Sequence, residues 1–399
     1  MMSSTLAALS LLAAPLEIDA VWLAFSAGDV PTAGERFARL DQSVRVHVVV
    51  EAHARGSRKR RLFADVEMVR RGRRVLKTER WPAGQPAPEF TFFRVEADPI
   101  ERGVYDNTGT MEHAWHPEER ASHPAKWHWC PIDVVETDTQ WSSAWSHRVD
   151  ATGTTTEDYK GLGTMRFAVH ARLGRTERRS PGRDHRDAGG LLRDVATLRV
   201  RRDDTAVGYM TELINVPYVY GSSSTDGTPR GHQAERAVGA DCADLVVYGW
   251  RRSGRDVGYT WSQGLKSHTR RVAVIAGEVN GSYRTADGRP LIFGKDILPG
   301  DVLLWRRHVA VVADADKGGT LSPRTPVIHT VAGTPELEAL GEMGFGFPSG
   351  DFEVRRPKWQ REPKAKRPRT TSPSRSRPTS RSRHRRRRGG RGPSSTSRC

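Results

Sequence analysis

Cysteine is nearly missing from this chain of 399 residues: Cys130, Cys242 and Cys399 are the whole set. Three thiols, odd in number and far apart, exclude a disulfide framework and lack the paired spacing of a zinc finger. Long apolar runs are missing too. No stretch of about 18 apolar residues is present, so the sequence predicts no membrane-spanning helix. The nearest approach is LAALSLLAAPLEIDA at residues 6–20. It has the apolar core of a secretory signal but no Lys or Arg before it. Residues 1–29 therefore read as a signal-like segment that leaves extracytoplasmic and cytoplasmic locations both open.

A charge excess is missing from most of the chain, although the net charge is +17. Residues 355–399 carry 18 of the 64 Lys and Arg and a single acid, Glu362. The remaining 46 bases meet 46 acids in residues 1–354. The basic balance is thus a property of the C-terminal end and says nothing about a basic face elsewhere. From about residue 358 the sequence is rich in Arg, Ser and Pro and poor in apolar side chains. Such a segment cannot bury a core, and the expectation is a disordered tail with nonspecific affinity for polyanions.

What is present in the first half is alternation. SVRVHVVVEAHA, RLFADVEMV, FTFFRVEA and MRFAVHARL each place apolar residues at every second position, and polar turns separate them. Residues 30–200 read as an antiparallel, β-sandwich-like domain of open role. Within it, HAWHPEERASHPAKWHWC at 113–130 is rich in His and Trp without tight ligand spacing. It reads as a loop with packed aromatics, and no metal is expected.

From about 205 the texture changes. A helix pattern follows Asp241, with apolar Leu245, Val246, Tyr248 and Trp250, basic residues in its last turn, and Gly254 as the stop. Strand-like pieces follow at DVLLWR, HVAVVADAD and VIHTVAG. Helix first and antiparallel strands after predicts an α+β domain over 205–357. Asp241 is a good N-cap, which places Cys242 in the first turn, where unpaired N–H groups and the helix dipole favour a thiolate. A catalytic thiol also needs a proton acceptor. His308 and His329, on neighbouring strands of a meander, are the candidates, the second orienting the first. A packed cysteine and two ordinary strand histidines are the competing reading of the same residues.

Five blocks in order decide between them: PYVYGS (217–222), DCADL (241–245), ILPGDVLLW (297–305), HVAVV (308–312) and VIHT (327–330). Over residues 205–335 this order resembles the NlpC family of cell-wall cysteine peptidases, within the papain-like class. The resemblance implies a papain-like α+β fold, with the helix that bears the nucleophile packed on an antiparallel sheet. It implies thiol-dependent amide hydrolysis by Cys242, with His308 as general base, His329 as the orienting residue, and no cofactor. Tyr218 and Asp241 match substrate-side positions, and peptidoglycan is the substrate it suggests. Where the family has Ser-Gly after the nucleophile, this chain has Ala243 and Asp244, which puts the usual γ-D-glutamyl specificity in doubt. The inserts TPRGHQAERAVGA (228–240) and VNGSYRTADGRP (279–290) are expected to narrow or redirect the cleft. The alternatives are an acyltransferase of the same fold, or an inactive relative that binds a cell wall or another polyanion.

Overall fold

In a computed structural model, residues 14–98, 104–109, 127–149, 161–344, 346–347 and 351–360 are described. All belong to one compact unit. The expected Arg/Ser-rich tail beyond residue 360, the first 13 residues of the signal-like segment and positions 113–126 of the His/Trp-rich stretch lie outside the described residues.

The first half builds two sheets. One centres on β1 (Leu16–Ser26) and β2 (Arg45–Ala54), paired antiparallel along almost their whole length. The other runs through β3 (Glu89–Ala97), β4 (Gly163–Leu173) and β5 (Ala196–Arg201). Glu35–Arg39 closes its edge by pairing parallel with β5. Alternation dictates the result: Val46, Val48 and Val50 of β2 face Phe92, Phe167 and Val169 of the second sheet in one shared core. Each such side chain stabilises by about 1.5–3 kcal/mol on burial. Strand β1 lies within the segment read as signal-like. It begins at Leu16, not near residue 30, so this sheet is built on residues 16–26.

The second half contains two α-helices among the described residues, α1 (Ala206–Met210) and α2 (Cys242–Arg252). A seven-stranded sheet follows: β6 (Thr269–Val279), β7 (Ser282–Thr285), β8 (Val302–Leu304), β9 (Val309–Val312), β10 (Pro326–His329), β11 (Glu336–Ala339) and β12 (Phe352–Pro357). Its spatial order is β7-β6-β12-β8-β9-β10-β11. Leu245, Val246 and Trp250 of α2 share a core with Val302, Leu304, Val309, Val311 and Ile328 of the sheet. Gly249 lets α1 and α2 touch, since a Cβ there would stand 2.5 Å from both the Ala206 carbonyl oxygen and Met210 Cγ.

The α+β, papain-like expectation is corrected here. Strand takes 43% and helix 10%, and the chain is largely all-β, with barrel-like and half-barrel sheets. The helical share stays small because α2 is the one helix longer than two turns among the described residues. Residues 269–285, rich in β-branched side chains, enter the sheet as a hairpin. The last strand, β12, ends at Pro357, the last residue of the domain read from the sequence. Arg355 and Arg356 are buried in it, and Arg356 makes a bidentate pair with buried Asp301 at 2.6 and 2.7 Å. Trp359 packs edge-on against Trp250, with ring centroids 5.0 Å apart.

Candidate functional site

Helix α2 begins where the sequence places its cap. The Asp241 carboxylate accepts from the N–H groups of Ala243 (2.8 Å) and Asp244 (2.9 Å), and Asp244 accepts from the N–H of Asp241 (3.2 Å). This reciprocal capping box satisfies the second and third N–H groups of the helix and does not use that of Cys242. Asp244 also accepts from the Ser222 hydroxyl, which ties the helix start to the loop after Tyr220. Ala243 and Asp244 therefore have a structural job at the start of the helix that carries Cys242.

Cys242 lines a cavity of about 450 Å³. Tyr218 and Tyr220 form one wall, with Asp241 and Ala243 beside the thiol. Trp261, Ser262 and Gln263 face Arg306, Arg307 and His308, and Val331 and Phe347 complete the lining. Neither insert contributes a lining residue. Residues 228–240 instead pack inward: His232 stacks flat on Tyr259, Gln233 accepts from Asn107, and Arg236 reaches Asp187 and the Leu191 carbonyl. Burial pushes the His232 imidazole down to about 4, and Arg251 adds to the effect.

Two hollows of about 520 Å³ lie elsewhere, one beside His170 and Arg172, the other beside Trp22 and Arg193. They are larger, but no cysteine lines either.

His308 is buried, with its ring stacked on Phe347 at 4.3 Å between centroids. Its Nε2 lies 3.1 Å from Nδ1 of His329, which is buried on β10. Strand pairing explains the meeting: Ala310 stands opposite His329 across the β9–β10 ladder. The other ring nitrogen of His329, Nε2, is hydrogen-bonded to Glu338 of β11. The N–H groups of Val309 and Ala243 donate toward the Cys242 sulfur, so the residue after His308 touches the thiol through its backbone.

The electrostatics differ from the expected resting thiolate. Burial pushes the Cys242 thiol well above its ordinary value, and the neighbouring Asp241 and Asp244 carboxyls add to this, outweighing the two N–H donors. The two acids that cap the helix offset the dipole that would have favoured the anion. Burial, followed by the proximity of His329, pushes the His308 imidazole well below its ordinary value. At neutral pH the site holds a neutral thiol and a neutral imidazole. Tyr218 remains a phenol, its hydroxyl raised by burial and by Cys242 and Asp241 nearby.

Of the five residues singled out from the sequence, four line the cavity: Tyr218, Asp241, Cys242 and His308. His329 stands behind His308. The Asp241 carboxylate is occupied by the helix cap, so its contribution to the cleft is shape. Sequence reading missed Glu338, Trp261, Gln263 and Phe347. Gln263 donates to the Trp305 and Arg306 carbonyls (2.7 and 3.0 Å), which fixes the backbone leading into His308. His329, Glu336 and Glu338 bring donor atoms within 4.8 Å of one another, a set that could hold a cation. Both nitrogens of His329 are, however, already engaged, by His308 and by Glu338.

No family model, curated protein or solved structure matches the chain. The NlpC resemblance rests on the five sequence blocks, and no helix of the described residues is long and apolar enough to cross a membrane.

Proposed function

We propose that the chain is a thiol-dependent amide hydrolase working by NlpC-type chemistry, with Cys242 as nucleophile, His308 as general base and His329 as the residue that orients it. One observation carries this reading. The one buried cysteine among the described residues, at a helix start, and a buried histidine line the same cavity, and a second histidine holds the first at 3.1 Å. A merely packed cysteine has no need of that arrangement.

The reaction follows from a neutral pair. As the sulfur attacks the substrate carbonyl carbon, His308 takes the thiol proton, so no preformed thiolate is required. The oxyanion is met by the Cys242 N–H, the first-turn donor outside the cap. The C–N bond then breaks, His308 returns the proton to the leaving amine, and a thioester remains. Water enters, gives a proton to His308 and attacks the thioester carbonyl. The C–S bond breaks, the carboxylic product leaves and the thiol is restored. By resemblance, the peptide stem of a bacterial cell wall is the first substrate to try. The lost Ser-Gly pair argues for a panel of amides around it.

An activated acyl ester with mass detection tests the reading directly. The expected result is one acyl adduct on Cys242 that disappears in Cys242→Ala and forms far more slowly in His308→Ala. An adduct on Cys130 instead, or undiminished turnover in Cys242→Ala, ends the proposal. An acyltransferase would show the same adduct but pass it to an added amine in preference to water.

A further inference from the structure

The hydrogen-bond chain behind the cleft does not stop at His329. It ends on Glu338, half-buried on β11 with its side chain 20% exposed. An ionised carboxylate can only accept. The Nε2 of His329 that meets Glu338 must then carry the hydrogen, and in a neutral imidazole, which has one N–H, that leaves His329 Nδ1 bare. A bare nitrogen accepts, so the Nε2 of His308, 3.1 Å away, carries the hydrogen in its turn. His308 is neutral, and a neutral imidazole has one N–H. Its Nδ1 is therefore the basic nitrogen.

We propose that Glu338 is the positioning residue of this site: by accepting from His329 it sets the tautomers of both histidines and leaves Nδ1 of His308 free to take a proton. Two histidines alone could settle with either partner as donor, and one of the two arrangements would put a hydrogen on His308 Nδ1 and leave the thiol without an acceptor. The carboxylate removes that choice. It also places a negative charge at the far end of the chain when His308 becomes an imidazolium during attack. The catalytic consequence rests on the hydrolase reading above, whereas the tautomers belong to the resting fold.

The test is long-range proton–nitrogen NMR on the nitrogen-labelled full chain at pH 7, with His308→Asn and His329→Asn assigning the signals. The wild type is expected to show Nε2–H and bare Nδ1 on both rings. In Glu338→Leu, similar in size but unable to accept, the His329 and His308 signals should become a mixture of tautomers. In that variant kcat should fall by about 10²- to 10⁴-fold, the range that a positioned general base contributes, with KM nearly unchanged. Glu338→Asp should recover part of the loss, which a purely structural role would not explain. Nδ1–H on either ring of the wild type overturns the proposal, even if Glu338→Leu fails to fold. So do unchanged tautomers and kcat in a folded Glu338→Leu. If the wild type hydrolyses no amide or ester, the hydrolase reading falls, and the spectrum of the resting chain still decides the role of Glu338.

Discussion

Replacing Cys242 with alanine should change the pH dependence of stability as well as activity. The thiol is buried and held neutral, well above its ordinary value of 9.0. An unfolded chain has no such burial, so its thiol ionises first as pH rises. Between the unfolded and folded values the native state binds more protons than the unfolded state. Stability is therefore whole below the unfolded value and falls above it, by up to about 1.4 kcal/mol per pH unit. Alanine removes that slope. At pH 7 the substitution costs order 1 kcal/mol, for one buried heavy atom and the small void it leaves. Dividing cost by slope, the two stability curves should meet about 0.7 pH unit above the thiol's ordinary value. Tyr105 and Tyr283, both pushed up to about 12, add their own alkaline slopes from pH 10 upward, equally in both proteins. Urea unfolding of wild type and Cys242→Ala at half-unit steps from pH 7 to about 10.5 reads the difference directly. Curves that stay parallel would mean the thiol is not buried in a neutral state. The account of the site as a neutral pair would then be wrong, whatever the activity of the variant.

The same electrostatics set two further outcomes. With the His308 imidazole held well below 6.5 by burial and by His329, the acid limb of kcat/KM should fall below that pH: activity is present above the folded value and lost as pH drops through it. Iodoacetamide should alkylate Cys242 slowly at pH 6 and faster with each step toward alkali; rapid labelling at pH 6 would contradict the raised thiol. For the C-terminal end, deleting residues 361–399 should abolish salt-sensitive DNA binding in a gel shift. Residues 1–354 are balanced at 46 bases and 46 acids, and counterion release needs a concentrated positive segment. Binding that survives the deletion would reveal a basic face that the count conceals.

Strands with alternation were legible in the sequence, because the residues that β2 and β4 send into the shared core, Val46, Val48 and Val50 and Phe167, Val169 and Ala171, stand two apart. Helix α2 was legible through Asp241 and its apolar stripe. What failed was inference from weaker patterns. Strand β1 mixes apolar residues with Glu17 and Asp19 and follows a run that resembles a signal, so its pairing with β2 could not be read locally. Strand β12 lies inside the 205–357 domain read from the sequence, but its paired arginines gave no strand signal; only the fold supplies Asp301 to pair one of them. At the site, Cys242 and His308 were visible as residue types at telling places. Glu338 was not, because its approach to His329 depends on the register of the β10–β11 hairpin, where Glu336 stands opposite His329 and Glu338 opposite Val327. The thiol's electrostatic state was misjudged for a related reason. The dipole of α2 could be read from one cap residue, but the opposing effect of Asp244 appears only when its side chain is seen to fold back over the same turn.

The first half of the chain also bears on the chemistry of the second, which a reading as separate modules would not suggest. Tyr105–Asp106 pairs parallel with Val219–Tyr220, so the wall that carries Tyr218 and Tyr220 is completed by a strand from the N-terminal half. Asn107 extends the contact, donating to the Gly221 carbonyl at 3.2 Å and to Gln233 at 3.0 Å. Beneath α2 the dependence is stronger. Arg199 of β5 is almost wholly buried and donates to the Tyr248 hydroxyl and to the Glu235 carbonyl. Tyr248 in turn donates to Glu212, which is fully buried and also accepts from Arg252. A buried charged network of this kind stays tolerable only while every member keeps its partners, and removing one leaves an uncompensated charge that costs about 3–5 kcal/mol. Helix α2, whose first residue is the thiol, is therefore seated on a guanidinium supplied by the β-rich half. The N-terminal sheets are part of the cleft's foundation, and the position of Cys242 relative to His308 is set by both halves of the chain together.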